Sequence, residues 1–102
     1  MSAFISHEAP DGTFNIEFRV YSGCTVTRVQ CEGGHWMMLD AKTERIITTR
    51  VNWSLAGPWT DDYRFLELTD QETRYVHLAT GVVYTAKRVD QFFRFPSCLP
   101  TS

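Results

Sequence analysis

Phe14, Ile16, Phe18 and Val20 alternate with Asn15, Glu17, Arg19 and Tyr21, and a two-residue repeat sends one set to each side of an extended chain. No stretch shows a comparable helical period, so this alternation sets the fold class. The remainder divides into short β-prone runs at 24–31, 35–40, 45–55, 63–69, 73–78 and 82–89, punctuated by Ser22-Gly23, Glu32-Gly33-Gly34, Gly57-Pro58 and Ala79-Thr80-Gly81. Turn-forming residues at such regular intervals mark a succession of strands rather than strands alternating with helices.

About seven short strands predict an all-β domain, a small antiparallel β-barrel or sandwich. As an architecture the layout resembles a cut-down lipocalin-like meander, which by itself implies no function. Residues 1–13, with Pro10 and Asp11-Gly12, read as an irregular N-terminal arm. Residues 90–95 leave room for at most one short helical turn, or an edge strand, before Pro96. The 102 residues suit a single domain, and 43% hydrophobic content is enough for a core. No apolar run is long enough to span a bilayer, and the first residues have neither the basic nor the apolar part of a signal peptide, so a cytoplasmic location is expected.

Loop lengths predict registers. A four-residue loop at 41–44 sets Met38 opposite Ile47 and His35 opposite Arg50, giving a core face of Trp36, Met38, Ile47, Val51 and Trp53. A three-residue loop at 70–72 sets Leu66 opposite Val76 and Phe65 opposite His77, and the next hairpin sets Val76 opposite Tyr84. One face then holds Leu66, Leu68, Val76, Leu78, Val82, Tyr84 and Ala86, a second expected core. The reverse face holds Tyr63, Phe65, Glu67, Tyr75, His77, Val83 and Thr85. That face is too aromatic for a solvated sheet surface, and it predicts either a lined cavity or a contact surface.

In the same register His77 and Glu67 are diagonal neighbours, the skeleton of an acid–base pair. They are the candidate catalytic residues. No nucleophile elbow, phosphate-binding glycine loop or metal-spaced histidine pair accompanies them, which argues against an enzyme. Cys24, Cys31 and Cys98 are an odd number, so they cannot all pair within the chain, and reduced thiols are expected. With His35 they are too widely spaced for a structural zinc site, and neither a metal nor a cofactor is expected.

The basic residues are eight arginines against Lys42 and Lys87, and arginine, tyrosine and tryptophan dominate protein-binding hot spots. Trp59, Tyr63, Arg64, Phe65, Tyr75, His77 and Arg50 are therefore the candidate partner- or ligand-binding residues. A net charge of −2 and the lack of a basic cluster argue against nucleic acid. The Phe92–Phe95 segment reads as a packing plug or an oligomerisation strip. These features lead to the expectation of a non-enzymatic protein-binding module, such as a small bacterial or phage inhibitor, immunity or accessory protein. The alternative is a small-ligand-binding β-barrel with weak acid–base chemistry at His77 and Glu67.

Overall fold

In the computed structural model, which describes residues 2–90 and 92–99, the chain forms one antiparallel sheet. Its strands are β1 (Ser2–Glu8), β2 (Thr13–Ser22), β3 (Thr25–Met38), β4 (Thr43–Val51), β5 (Ser54–Leu68), β6 (Glu72–His77) and β7 (Val83–Lys87). Every strand pairs with its neighbours in sequence, and the sheet curls into a half-barrel whose edges are β1 and β7. There is no helix among the described residues, hence none long and apolar enough to cross a membrane. The all-β expectation holds. The 90–95 segment carries no strand at its described positions, and Gln91 lies outside the described residues.

The seven strands are not the seven expected. The N-terminal arm is a strand, with Ser2 to Glu8 paired residue for residue against β2. Pro10 and Asp11-Gly12 do not end an arm but turn the chain. The Asp11 carboxylate accepts hydrogen bonds from the backbone N–H and the hydroxyl of Thr13, closing the β1–β2 hairpin. Conversely, Gly33-Gly34 lies inside β3 and Gly57-Pro58 inside β5. Glycine here marks a bulge rather than a break: the β3–β4 register shifts between Gly33 and Gly34.

Gly34 is needed for close approach, because a Cβ there would overlap the Ile47 carbonyl oxygen and come within 3.0 Å of the Thr49 nitrogen. Both are backbone atoms and cannot swing away. Gly34→Ala is expected to cost about 2–3 kcal/mol in urea unfolding. Gly23→Ala, where nothing lies within 4 Å but φ is +60°, should cost only about 1 kcal/mol. Equal midpoints for the two variants would overturn this account of the bulge.

The registers also differ from expectation. Met38 stands opposite Glu44 and Trp36 opposite Ile46, an odd displacement that exchanges the faces of β4 relative to β3. The chain turns back at Asn52-Trp53, both at positive φ (48° and 66°), with Val51 opposite Ser54. Trp53, expected in the core, therefore occupies a hairpin tip and is 85% exposed; Leu55 is 90% exposed. Met38 is also exposed, while Trp36 is half-buried and donates its indole N–H to the Ala9 carbonyl. The second expected core fares similarly: Leu66, Leu68, Leu78, Val82 and Tyr84 are all substantially exposed.

Among the described residues the buried apolar side chains are Phe14 (5% exposed) and Tyr21 (4%), and no side chain is below 2%. The accessible surface is 7350 Å², against about 5,900 Å² for a compact monomer of this mass. The excess is what a sheet leaves exposed when it curls without closing.

Beyond β7 the chain returns across the fold to the β2–β3 turn. The Tyr21 hydroxyl donates to the Pro96 carbonyl, the Leu99 N–H donates to the Gly23 carbonyl, and Arg19 lies 4.1 Å from the Phe95 ring centre. Cys24 and Cys98 form a disulfide. This corrects the expectation of reduced thiols: the returning strap brings together two cysteines 74 positions apart, and their spacing in sequence carries no sign of it. Cys31 is free and partly buried in β3.

Candidate functional site

Within β2 the even-numbered residues Phe14, Ile16 and Phe18 face the concave side, where they line a cavity of about 870 Å³. β4 contributes Glu44, Ile46 and Thr48, β5 contributes Asp61, Tyr63 and Phe65, and β6 contributes Thr73 and Tyr75. Each set follows the two-residue alternation of its own strand, so the sheet's curl, not a special loop, assembles the site. Phe4 of β1 packs on Phe18 at 6.1 Å between ring centres. On the other wall Tyr63 meets Tyr75 edge-on at 5.5 Å, and Tyr75 stacks on Tyr84 at 5.6 Å.

The aromatic face predicted from sequence is thus the inner wall. Tyr63, Phe65 and Tyr75 keep their common face because the β5–β6 register departs from expectation by an even number, with Tyr63 opposite His77 and Phe65 opposite Tyr75. Tyr84 joins them instead of Val83, because β6–β7 pairing differs by an odd one, with Tyr75 opposite Tyr84 and Val76 opposite Val83.

His77 is brought beside this wall, its ring 5.0 Å from that of Tyr63, but it does not meet Glu67. A register shift between Phe65 and Glu67 turns Glu67 outward, opposite Arg74. The carboxylate that holds the imidazole is Asp61, 2.8 Å from Nε2, and Nδ1 lies 2.8 Å from the Thr80 hydroxyl oxygen. With both ring nitrogens engaged, the imidazole ties the β6–β7 turn to β5. The other sequence candidates lie elsewhere. Arg64 is on the convex face opposite Thr43 and Val76, and Arg50 stands opposite Gly33 and Leu55. Trp59 falls on the inner face by its pairing with Thr48 but is half exposed. In the C-terminal aromatic segment Phe92 is exposed, while Phe93 lines the cavity.

Electrostatics separates this cavity from a plain apolar pocket. Its lining carries six acidic side chains and two basic ones. Glu44 is only 9% exposed, and burial together with the neighbouring Glu8 carboxyl pushes its pKa up to about 8. Burial and the Asp61 charge push the Tyr63 phenol up to about 12, and burial raises Tyr75 as well. On the outer face Arg45 and Asp62 form a two-pronged ion pair (2.9 and 3.0 Å) that holds the Asp62 carboxyl below its ordinary range.

Glu44, Glu8 and Asp61 were missed from sequence. By sequence Glu44 falls in the 41–44 loop, Glu8 in the 1–13 arm, and Asp61 in the loop between the 45–55 and 63–69 runs. A single chain offers no signal that would place three acids from β1, β4 and β5 around one space. Among the described residues no group of three His, Cys, Asp or Glu side chains is placed to hold a metal ion, and the disulfide engages two of the four ligands considered for zinc. Comparison with protein-family models, curated proteins and solved structures finds no match.

Proposed function

We propose that the protein is a binding module whose concave face takes a small, largely apolar molecule. One observation carries this reading: the aromatic face shared by β5 and β6 turns into a cavity of about 870 Å³, within the range of small-molecule sites. Those rings would flank a ligand's apolar body, with a few polar groups to orient it. His77 then supports the wall through Asp61 and Thr80 rather than acting on the ligand.

The test uses N-phenyl-1-naphthylamine, an uncharged dye that brightens in apolar sites. It should bind saturably with one equivalent per chain. Phe65→Ala should weaken it about five- to tenfold, the equivalent of roughly 1–1.4 kcal/mol, whereas Leu66→Ser on the opposite face should leave it unchanged. Absence of saturable binding, or equal loss in both variants, would overturn the reading.

A second reading, a protein-binding module such as an inhibitor or accessory protein, is favoured by one observation. The β4–β5 hairpin presents Trp53 and Leu55 to solvent on a turn whose second position usually requires glycine. Trp53 also lines a shallow depression of about 590 Å³ with Phe95, Arg19 and Arg94, residue types found at hot spots. This surface differs from the expected one, which centred on Trp59 and Arg64.

A further inference from the structure

The binding reading leaves open what the ligand carries, and the acids in the cavity bear on that. Glu8, Glu32, Glu44 and Asp61 reach it from β1, β3, β4 and β5, in a lining that also holds Tyr63 and Tyr75. Asp61 is engaged by His77, and Glu32 accepts a hydrogen bond from Gln30. Among the described residues no basic side chain lies within ion-pair distance of Glu44, which is nine-tenths buried; the group that addresses it is another acid, Glu8. The two bases in the lining, Lys87 and Arg88, follow one another at the end of β7, where Glu72 stands opposite Lys87.

A buried carboxyl, Glu44, set at a cavity beside the exposed carboxyl of Glu8 and with no basic partner among the described residues, is incomplete as a set of charges. Aromatic faces beside carboxylates are also the surroundings that bind ammonium groups. Resting on the ligand-binding reading, we propose that the ligand is an organic cation, a protonated amine on an apolar body, whose ammonium group sits between Glu8 and Glu44. Burial and Glu8 push the Glu44 carboxyl up to about 8, so at neutral pH a proton meets the charge where no cation does. The amine therefore enters by exchange: Glu44 gives its proton to the buffer, and the resulting carboxylate pairs with the ammonium. The titratable groups that line the cavity from β1, β3, β4, β5 and β6 are acids, Glu8, Glu32, Glu44, Asp61, Tyr63, Glu72 and Tyr75; the bases that face them are Lys87 and Arg88 at the end of β7 and His77, which is engaged by Asp61 beside Tyr63.

Titration calorimetry at pH 7 with 2-phenylethylammonium and with uncharged 2-phenylethanol tests this, each run in two buffers of different ionisation enthalpy. The amine should bind at least tenfold more tightly than the alcohol, and its buffer dependence should report release of close to one proton. In Glu44→Gln the proton release should vanish and the preference for the amine over the alcohol should fall several-fold, the alcohol serving as the internal reference. Equal binding of amine and alcohol, or amine binding without proton release, overturns the proposal. So does failure of both compounds where the dye still binds, and in that case the cavity reading stands. If dye, amine and alcohol all fail, the binding reading falls with it.

Discussion

Reducing the Cys24–Cys98 disulfide should lower the unfolding free energy by about 4 kcal/mol, the value that loop-closure entropy assigns to a cross-link spanning some 75 residues. The sequence separation is 74, and a long closed loop restricts the unfolded chain most. Domains of this size commonly have only about 5–15 kcal/mol in total, and here the deeply buried apolar set is Phe14 and Tyr21. The loss is therefore a large fraction of the whole. Without the cross-link, the Tyr21–Pro96 and Leu99–Gly23 hydrogen bonds and the Arg19–Phe95 contact would hold the strap alone. Urea titrations with and without a phosphine reductant, together with a Cys24→Ser, Cys98→Ser double variant, measure this. The reduced protein and the variant should show the same lowered midpoint, and a midpoint unchanged by both would show that the strap does not contribute to stability.

Stability should also fall as pH rises from about 4.5 to 8, the reverse of ordinary acid denaturation. The Glu44 carboxyl, ordinarily near 4.5, is pushed up to about 8 by burial and by Glu8. Below 4.5 the folded and unfolded chains both hold the proton, and full stability is present. Between the two values the unfolded chain releases the proton and the folded chain keeps it, so each pH unit costs up to about 1.4 kcal/mol. Over the whole window the loss is a few kcal/mol, with about 5 kcal/mol as the upper bound. At the acid end Asp62, lowered by Arg45, contributes in the opposite sense: its stabilisation is lost as pH falls below its ordinary 3.8. Stability should then be greatest near pH 4–5. Glu44→Gln should match the wild type at pH 4 and exceed it by a few kcal/mol at pH 8, read as urea midpoints across a pH series. Parallel profiles for the two proteins would rule out Glu44 as the source.

The β class and the inner aromatic wall were legible because both depend on parity within a strand. Tyr63, Phe65 and Tyr75 share a face whatever the loops do, provided the register error is even, and here it was. Where the error was odd, inside and outside were exchanged, as for Tyr84 and Val83. Bulges produced further misreadings: one extra residue near Leu66 turned Glu67 away from His77. Trp53 was misplaced because a two-residue turn with positive φ at both positions is normally announced by Asn-Gly, and Asn52 is followed by tryptophan. β1 escaped notice because Ser2 to Glu8 has no clean alternation; pairing with β2 makes it a strand. Three cysteines allow three different single pairings, and only the path of the strap selects one.

The strict neighbour-to-neighbour strand order has a kinetic consequence. Six hairpin pairings can form locally, each closing a short loop, and none requires a distant segment to arrive first. Acquisition of the sheet should therefore be fast for an all-β chain. In the reduced chain the strap's contacts with the β2–β3 turn, bridging some 75 positions, bear the largest loop-closure cost in the molecule, a cost the intact disulfide removes. A stopped-flow experiment on the reduced protein would find amide protection in the β3–β4 and β4–β5 hairpins ahead of the docking of Tyr21 on Pro96.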